Sequence, residues 1–214
     1  MILLYNNICS HQSSDVQKLS DDMLERNGPD MKKQPEVTER TKAVLMDTFW
    51  QFYCKNDIRK ISIRSITEKA GYNRSTFYQY FIDVYDLLSQ IEDSLVDYIV
   101  DNVRNSLVSE IGSDLIEQLA RVYDIKGEYI TVLLSKGGES KFAEKLKSSL
   151  SPIIMNRLGI ENDRPHTDLM FEFALSGMLS AITKWYSLRK PIPSEEMVVL
   201  LRSILFKGVS SYIV

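Results

Sequence analysis

Nineteen residues, Ile63 to Phe81, read IRSITEKAGYNRSTFYQYF and limit the fold more than any other stretch of the chain. Ile63, Ile66 and Ala70 are apolar at helical spacing. Gly71 follows at once, where a helix end favours a residue free to take positive φ. Asn73 then offers a side-chain oxygen to the first amide groups of a new helix. That second helix is predicted from Arg74 to about Tyr80, with Phe77 and Phe81 on its inner edge. Its outer face shows Arg74, Ser75, Thr76, Tyr78, Gln79 and Tyr80. A glycine turn, a cap and an apolar face belong to any αα-hairpin, so spacing alone leaves a purely structural hairpin open. The outer face points further. Hydroxyls, an amide and an arginine can donate to phosphates and reach base edges in a major groove, whereas an ordinary solvent face carries Glu and Lys.

The run TKAVLMDTFWQFYCKNDIRKISIRSITEKAGYNRSTFYQYFIDVYDLL, Thr41 to Leu88, resembles the DNA-binding domain of TetR-type (TetR/AcrR) transcriptional regulators. The marks are Phe52-Tyr53, Ile61-Ser62-Ile63, Ala70-Gly71, Ser75-Thr76-Phe77-Tyr78-x-Tyr80-Phe81 and Leu87-Leu88, aligned without a gap. Three positions depart from the family pattern. Val84 stands where a lysine usually meets phosphate, Tyr72 replaces a small apolar residue after the turn glycine, and Asn56-Asp57 replaces the glycine after the first helix. Beyond Leu88 the resemblance rests on length and helicity.

Charge distribution agrees with a protein that touches a polyanion at one end. The chain carries −3 overall, yet Glu36 to Ile82 holds eight Lys and Arg against five Asp and Glu, a local +3. Asp83 to Val214 carries −5, and residues 1–35 carry −1. Two cysteines, Cys9 and Cys54, cannot form a disulfide framework and suit a reducing cytoplasm. No apolar run approaches the ~20 residues of a membrane span.

The predicted organisation is all-α: residues 1–35 as a poorly ordered extension, 36–83 as the helix-turn-helix domain, and 84–214 as a helical effector-binding and dimerisation domain. Residues 1–30 are expected to be dispensable for folding and DNA affinity. The first helix is expected from Thr38 to Lys55, with Ser62 capping the next. Asp83 is expected to cap a long helix reaching about Leu107. Further helices are predicted over 112–123, 125–135, 140–157, 166–187 and 194–212, separated at Gly112, Gly127, Gly137-Gly138, Gly159 to Pro165 and Pro191 to Pro193.

The last two of these helices are apolar around too much of their circumference for a single core stripe. Either one is a central bundle helix, or a second apolar face meets a copy of itself about a twofold axis. The dimer reading is preferred, with Ala174, Gly177, Ala181, Trp185, Leu201, Ile204 and Leu205 at the interface. The resemblance implies the same pairing, and a cavity among the middle helices for a small, largely apolar effector. Tyr98, Tyr123, Tyr129, Phe142, Met155, Met170, Phe171 and Met178 are its candidate lining, with Phe173 and Trp185 beside them. No cofactor is expected, only an effector of unknown identity.

For DNA, Arg74, Thr76 and Gln79 are the candidates for base readout, since Arg suits guanine and Gln suits adenine. Ser75, Tyr78 and Tyr80 are assigned to phosphates. Arg64 is expected to reach a phosphate or a guanine edge, Asn73 is mainly a cap, and Thr41 and Ser62 are expected to add backbone contacts. No catalytic signature is present. His11 and His166 have no second ligand at metal spacing, and Gly137-Gly138 lacks the Lys-Ser/Thr of a phosphate loop. The sequence therefore predicts a ligand-responsive dimeric repressor on a palindromic operator. The alternative is a co-regulator of the same fold that acts through protein partners without binding DNA.

Overall fold

The computed structural model describes residues 35–105, 113–136, 141–158 and 166–209. Among these there are eight α-helices and no strand, as the all-α reading requires. They are α1 (Pro35–Tyr53), α2 (Ile63–Ala70), α3 (Arg74–Phe77), α4 (Val84–Asn105), α5 (Ser113–Ser135), α6 (Phe142–Leu158), α7 (Thr167–Ser187) and α8 (Ser194–Val209), with a 3₁₀ turn at Ile58–Lys60. The chain divides into two compact units, Met1–Ile91 and Glu92–Val214. The expected N-terminal extension lies outside the described residues, apart from Pro35.

In the first unit α1 packs on α2, and α2 on α3. Leu45, Phe49 and Tyr53 of α1 share a fully buried core with Ile58, Ile66, Phe77, Phe81 and Leu87. The Phe49 and Tyr53 rings stack at 5.5 Å, one turn apart. Cys54 is buried at the end of the same stripe. Asp57 starts the 3₁₀ turn by accepting from Arg59 N at 2.9 Å.

In the second unit α5 is enclosed along the stretch from Lys126 to Leu133. It packs against α6, α7 and α8, and its five consecutive residues from Tyr129 to Leu133 are all buried. A break at Gly127 was expected, but α5 runs through it unbroken. The glycine is there for space: a Cβ would sit 2.5 Å from Cε2 of Tyr186 on α7. The α7 helix also packs against three others, α5, α6 and α8, yet keeps Leu169 and Phe173 exposed. Trp185 and Leu201, expected at a dimer surface, are instead buried in this unit, and the Trp185 indole donates to Ile192 O at 2.9 Å. His166 occupies the N-cap position of α7 without a side-chain cap bond.

Beyond the end of α7 come two consecutive residues with positive φ, Arg189 (φ 62°) and Lys190 (φ 53°). Lys190 stays there with its ammonium paired to Asp124, 5.3 Å from the Trp185 ring centre and 5.6 Å from that of Tyr186. The Glu92 carboxylate of α4 is buried at the start of α6. It accepts from Lys141 N at 3.0 Å and pairs with Lys145 Nζ at 3.1 Å, which also reaches Asp93 at 2.7 Å.

Candidate nucleic-acid interface

The α2–α3 hairpin is built locally, residue by residue. Ser62 begins α2 with a reciprocal box: its Oγ accepts from Ser65 N at 3.0 Å while Ser65 Oγ lies 3.3 Å from Ser62 N. Ile66 anchors the inner face. Gly71 closes α2 in the left-handed conformation, φ 75° and ψ 24°, and Tyr72 N returns to Thr67 O at 2.9 Å. Asn73 opens α3 with its Oδ1 accepting from Thr76 N at 2.9 Å. Regular α-helix then lasts only to Phe77, and Tyr78 to Tyr80 form a tight turn. The helix expected up to Tyr80 is therefore one turn shorter: Gln79 N and Tyr80 N turn back to carbonyls three residues earlier, Thr76 O and Phe77 O.

This geometry buries Phe77 and Phe81 and presents Asn73, Arg74, Ser75, Tyr78 and Gln79 to solvent, with Thr76 and Tyr80 half-buried. Tyr78 is 59% exposed and leans edge-on against Phe77, with ring centres 5.8 Å apart. Tyr80 packs beside Phe81, and its carbonyl accepts from Gln90 Nε2 at 3.2 Å. Arg64 is exposed on α2, but its guanidinium is held by Glu68 one turn on at 2.6 Å, which raises its pKa. Ser62 is exposed as well, with its hydroxyl committed to the cap.

Thr41 needs correction as a DNA contact. It is buried, and its hydroxyl donates to Val37 O at 2.8 Å inside α1. The start of α4 is also occupied. Asp83 accepts from Tyr85 N and Asp86 N, both at 2.8 Å, and Asp86 accepts from Ile82 N at 2.8 Å. Two carboxylates fill the positive end of that helix, beside Val84. Sequence reading had not marked Ile82 and Tyr85, which stand 79% and 53% exposed there.

In the second unit, five of the eight principal effector-lining candidates lie in the core. Tyr123, Tyr129, Phe142, Phe171 and Met178 are buried, while Tyr98, Met155 and Met170 are half-buried. The Tyr123 hydroxyl lies 3.2 Å from Thr183 Oγ1, and burial pushes its pKa above the usual phenol range. Lys126, also buried, places its ammonium 5.1 Å from the Tyr98 ring centre. Phe173, expected in the lining, is 75% exposed instead. A small crevice of about 10 Å³, room for about one water, opens between α5, α7 and α8 beside Ala120, Ile182, Trp185 and Leu201. None of the eight principal lining candidates borders it.

A second apolar surface lies on α7 and α8. Leu169 (73%), Phe173 and the bare Gly177 follow one face of α7; Val199 (65%), Leu200 (47%) and Ile204 (58%) stand out from α8. Ala174, Ala181 and Leu205 flank them half-buried. Among the described residues, no group of three or more His, Cys, Asp or Glu could hold a metal ion. No helix among them is long and apolar enough to cross a membrane.

No protein-family model and no curated protein matches the sequence. The fold does have a solved counterpart. The fatty acid degradation regulator FadR from Bacillus halodurans aligns over 84% of this chain and 98% of its own, with a TM-score of 0.61 and 15% identity. At that identity the likeness establishes the fold: a helix-turn-helix unit followed by a helical unit.

Proposed function

We propose that this chain is a DNA-binding transcriptional regulator of the TetR type, acting as a homodimer on a twofold-symmetric operator and released by a small molecule. The hairpin carries the reading. Gly71 and Asn73 set the turn, Ile66 and Phe77 hold it from inside, and Arg74, Ser75, Thr76, Tyr78 and Gln79 form a polar face with no glutamate or lysine. Such a face matches phosphates and base edges better than bulk water alone. The exposed apolar stripes of α7 and α8 fit a second copy, which would present two hairpins to successive half-sites. The likeness to a regulator of fatty acid degradation favours an apolar effector, in keeping with the buried Tyr129, Phe142, Phe171 and Met178 of the second unit.

Binding to duplex DNA from around the chain's own gene tests this reading. Arg74→Ala with Tyr78→Ala should reduce affinity at least tenfold, and affinity should fall steeply with salt. Absence of binding to any duplex would leave the co-regulator reading. The Asp83 and Asp86 carboxylates at the start of α4 and the Arg64–Glu68 pair are the observations on its side.

A further inference from the structure

On the outer face of α3, the hydroxyls of Ser75 and Thr76 are distinguished by where their protons go. Thr76 N donates to Asn73 Oδ1, which fixes that atom as the amide oxygen, since a backbone N–H requires an acceptor. Ser75 Oγ lies 2.5 Å and Thr76 Oγ1 2.9 Å from the same oxygen. An amide oxygen cannot donate, so both hydroxyls must, and each has one hydrogen to give. What each then offers outward is lone pairs alone. Such an oxygen opposes a phosphate oxygen, guanine O6 and thymine O4, all of them acceptors. It suits the amino groups on adenine C6 and cytosine C4, which are the donors of the major groove.

We infer that Ser75 and Thr76 read sequence by accepting hydrogen bonds from adenine or cytosine amino groups, and do not anchor phosphate. The inference rests on the DNA-binding reading and adds to it the chemistry of the base contacted. It also reverses the phosphate role that the sequence suggested for Ser75. Arg74 beside them keeps the complementary task, because a guanidinium only donates.

Selection of duplexes from a random library, with the full-length protein, tests this. The parent should enrich adenine or cytosine on one strand at a half-site position. Thr76→Val preserves shape and removes the acceptor; it should bind that site about tenfold more weakly, lose the preference there, and keep the same salt dependence. Thr76→Ser should retain both affinity and preference, and Ser75→Ala should relax its own position. A measurement on the parent covers any variant that fails to fold. Purine in place of the selected adenine, or 2-pyrimidinone in place of cytosine, deletes only the amino group and should cost the same tenfold. Variants that weaken every duplex equally, whatever base stands at that position, would make these residues phosphate contacts and overturn the inference while the DNA reading stands. Analogue duplexes that bind as well as the natural ones overturn it too. A parent that selects no duplex sinks the DNA reading and this inference together.

Discussion

Gly71 is a residue whose identity is set by backbone geometry alone. At φ 75° it is left-handed, yet a Cβ built there would meet nothing within 4 Å. Gly71→Ala should therefore cost only the left-handed strain, about 1–2 kcal/mol, with Gly71→Asn milder; urea unfolding of the two variants would show it. An alanine variant as stable as the parent would mean that the turn is not left-handed. Tyr123 makes a second prediction. Its buried phenol holds its proton in the folded state above the pKa of about 10 that an unfolded tyrosine shows. A raised acid stabilises the fold fully below pH ~10 and loses that contribution as pH climbs through the folded value. Tyr123→Phe should lose about 1 kcal/mol near neutrality with the Thr183 hydrogen bond, and should fall less steeply than the parent above pH 10 in alkaline unfolding.

Among the elements, α5 shows most clearly what was and was not legible. The hairpin could be read from sequence because every instruction is local: Ser62, Gly71 and Asn73 act within four residues of themselves. Gly127 acts across 59 positions, on the ring of Tyr186. Without that partner in view, a glycine amid helix formers reads as a break, and one helix was divided into two. Gly127→Ala in an open helix would gain about 1 kcal/mol. Here it should lose about 1–2 kcal/mol through overpacking, and regain the alanine benefit in a Tyr186→Ala background, which a double-mutant thermal melt would reveal. Thr41 was misplaced for a related reason. Spacing shows that a threonine lies on a helix, but not that its hydroxyl turns back to the carbonyl of Val37.

Over the whole molecule, the sequence revealed that α7 and α8 carry more apolar surface than one core needs, but not which residues face inward. Trp185 and Leu201 turned in, while Leu169, Phe173 and Ile204 stayed out. Phe173→Lys or Ile204→Lys should leave the fold intact, since both side chains stand free of it. On the proposed homodimer reading, each should convert a species of twice 24.7 kDa into one of 24.7 kDa by sedimentation, and weaken DNA binding with it. Retention of the dimer by both variants would move the partner surface elsewhere. The enclosure of α5 bears on timing. With Tyr129 to Leu133 covered on every side, a guest molecule bound for that helix would have to wait until the bundle breathes. Its arrival rate, followed by stopped flow, would level off at high concentration instead of rising in proportion. The pace of the response would be that of the protein's own opening, whatever the abundance of the signal.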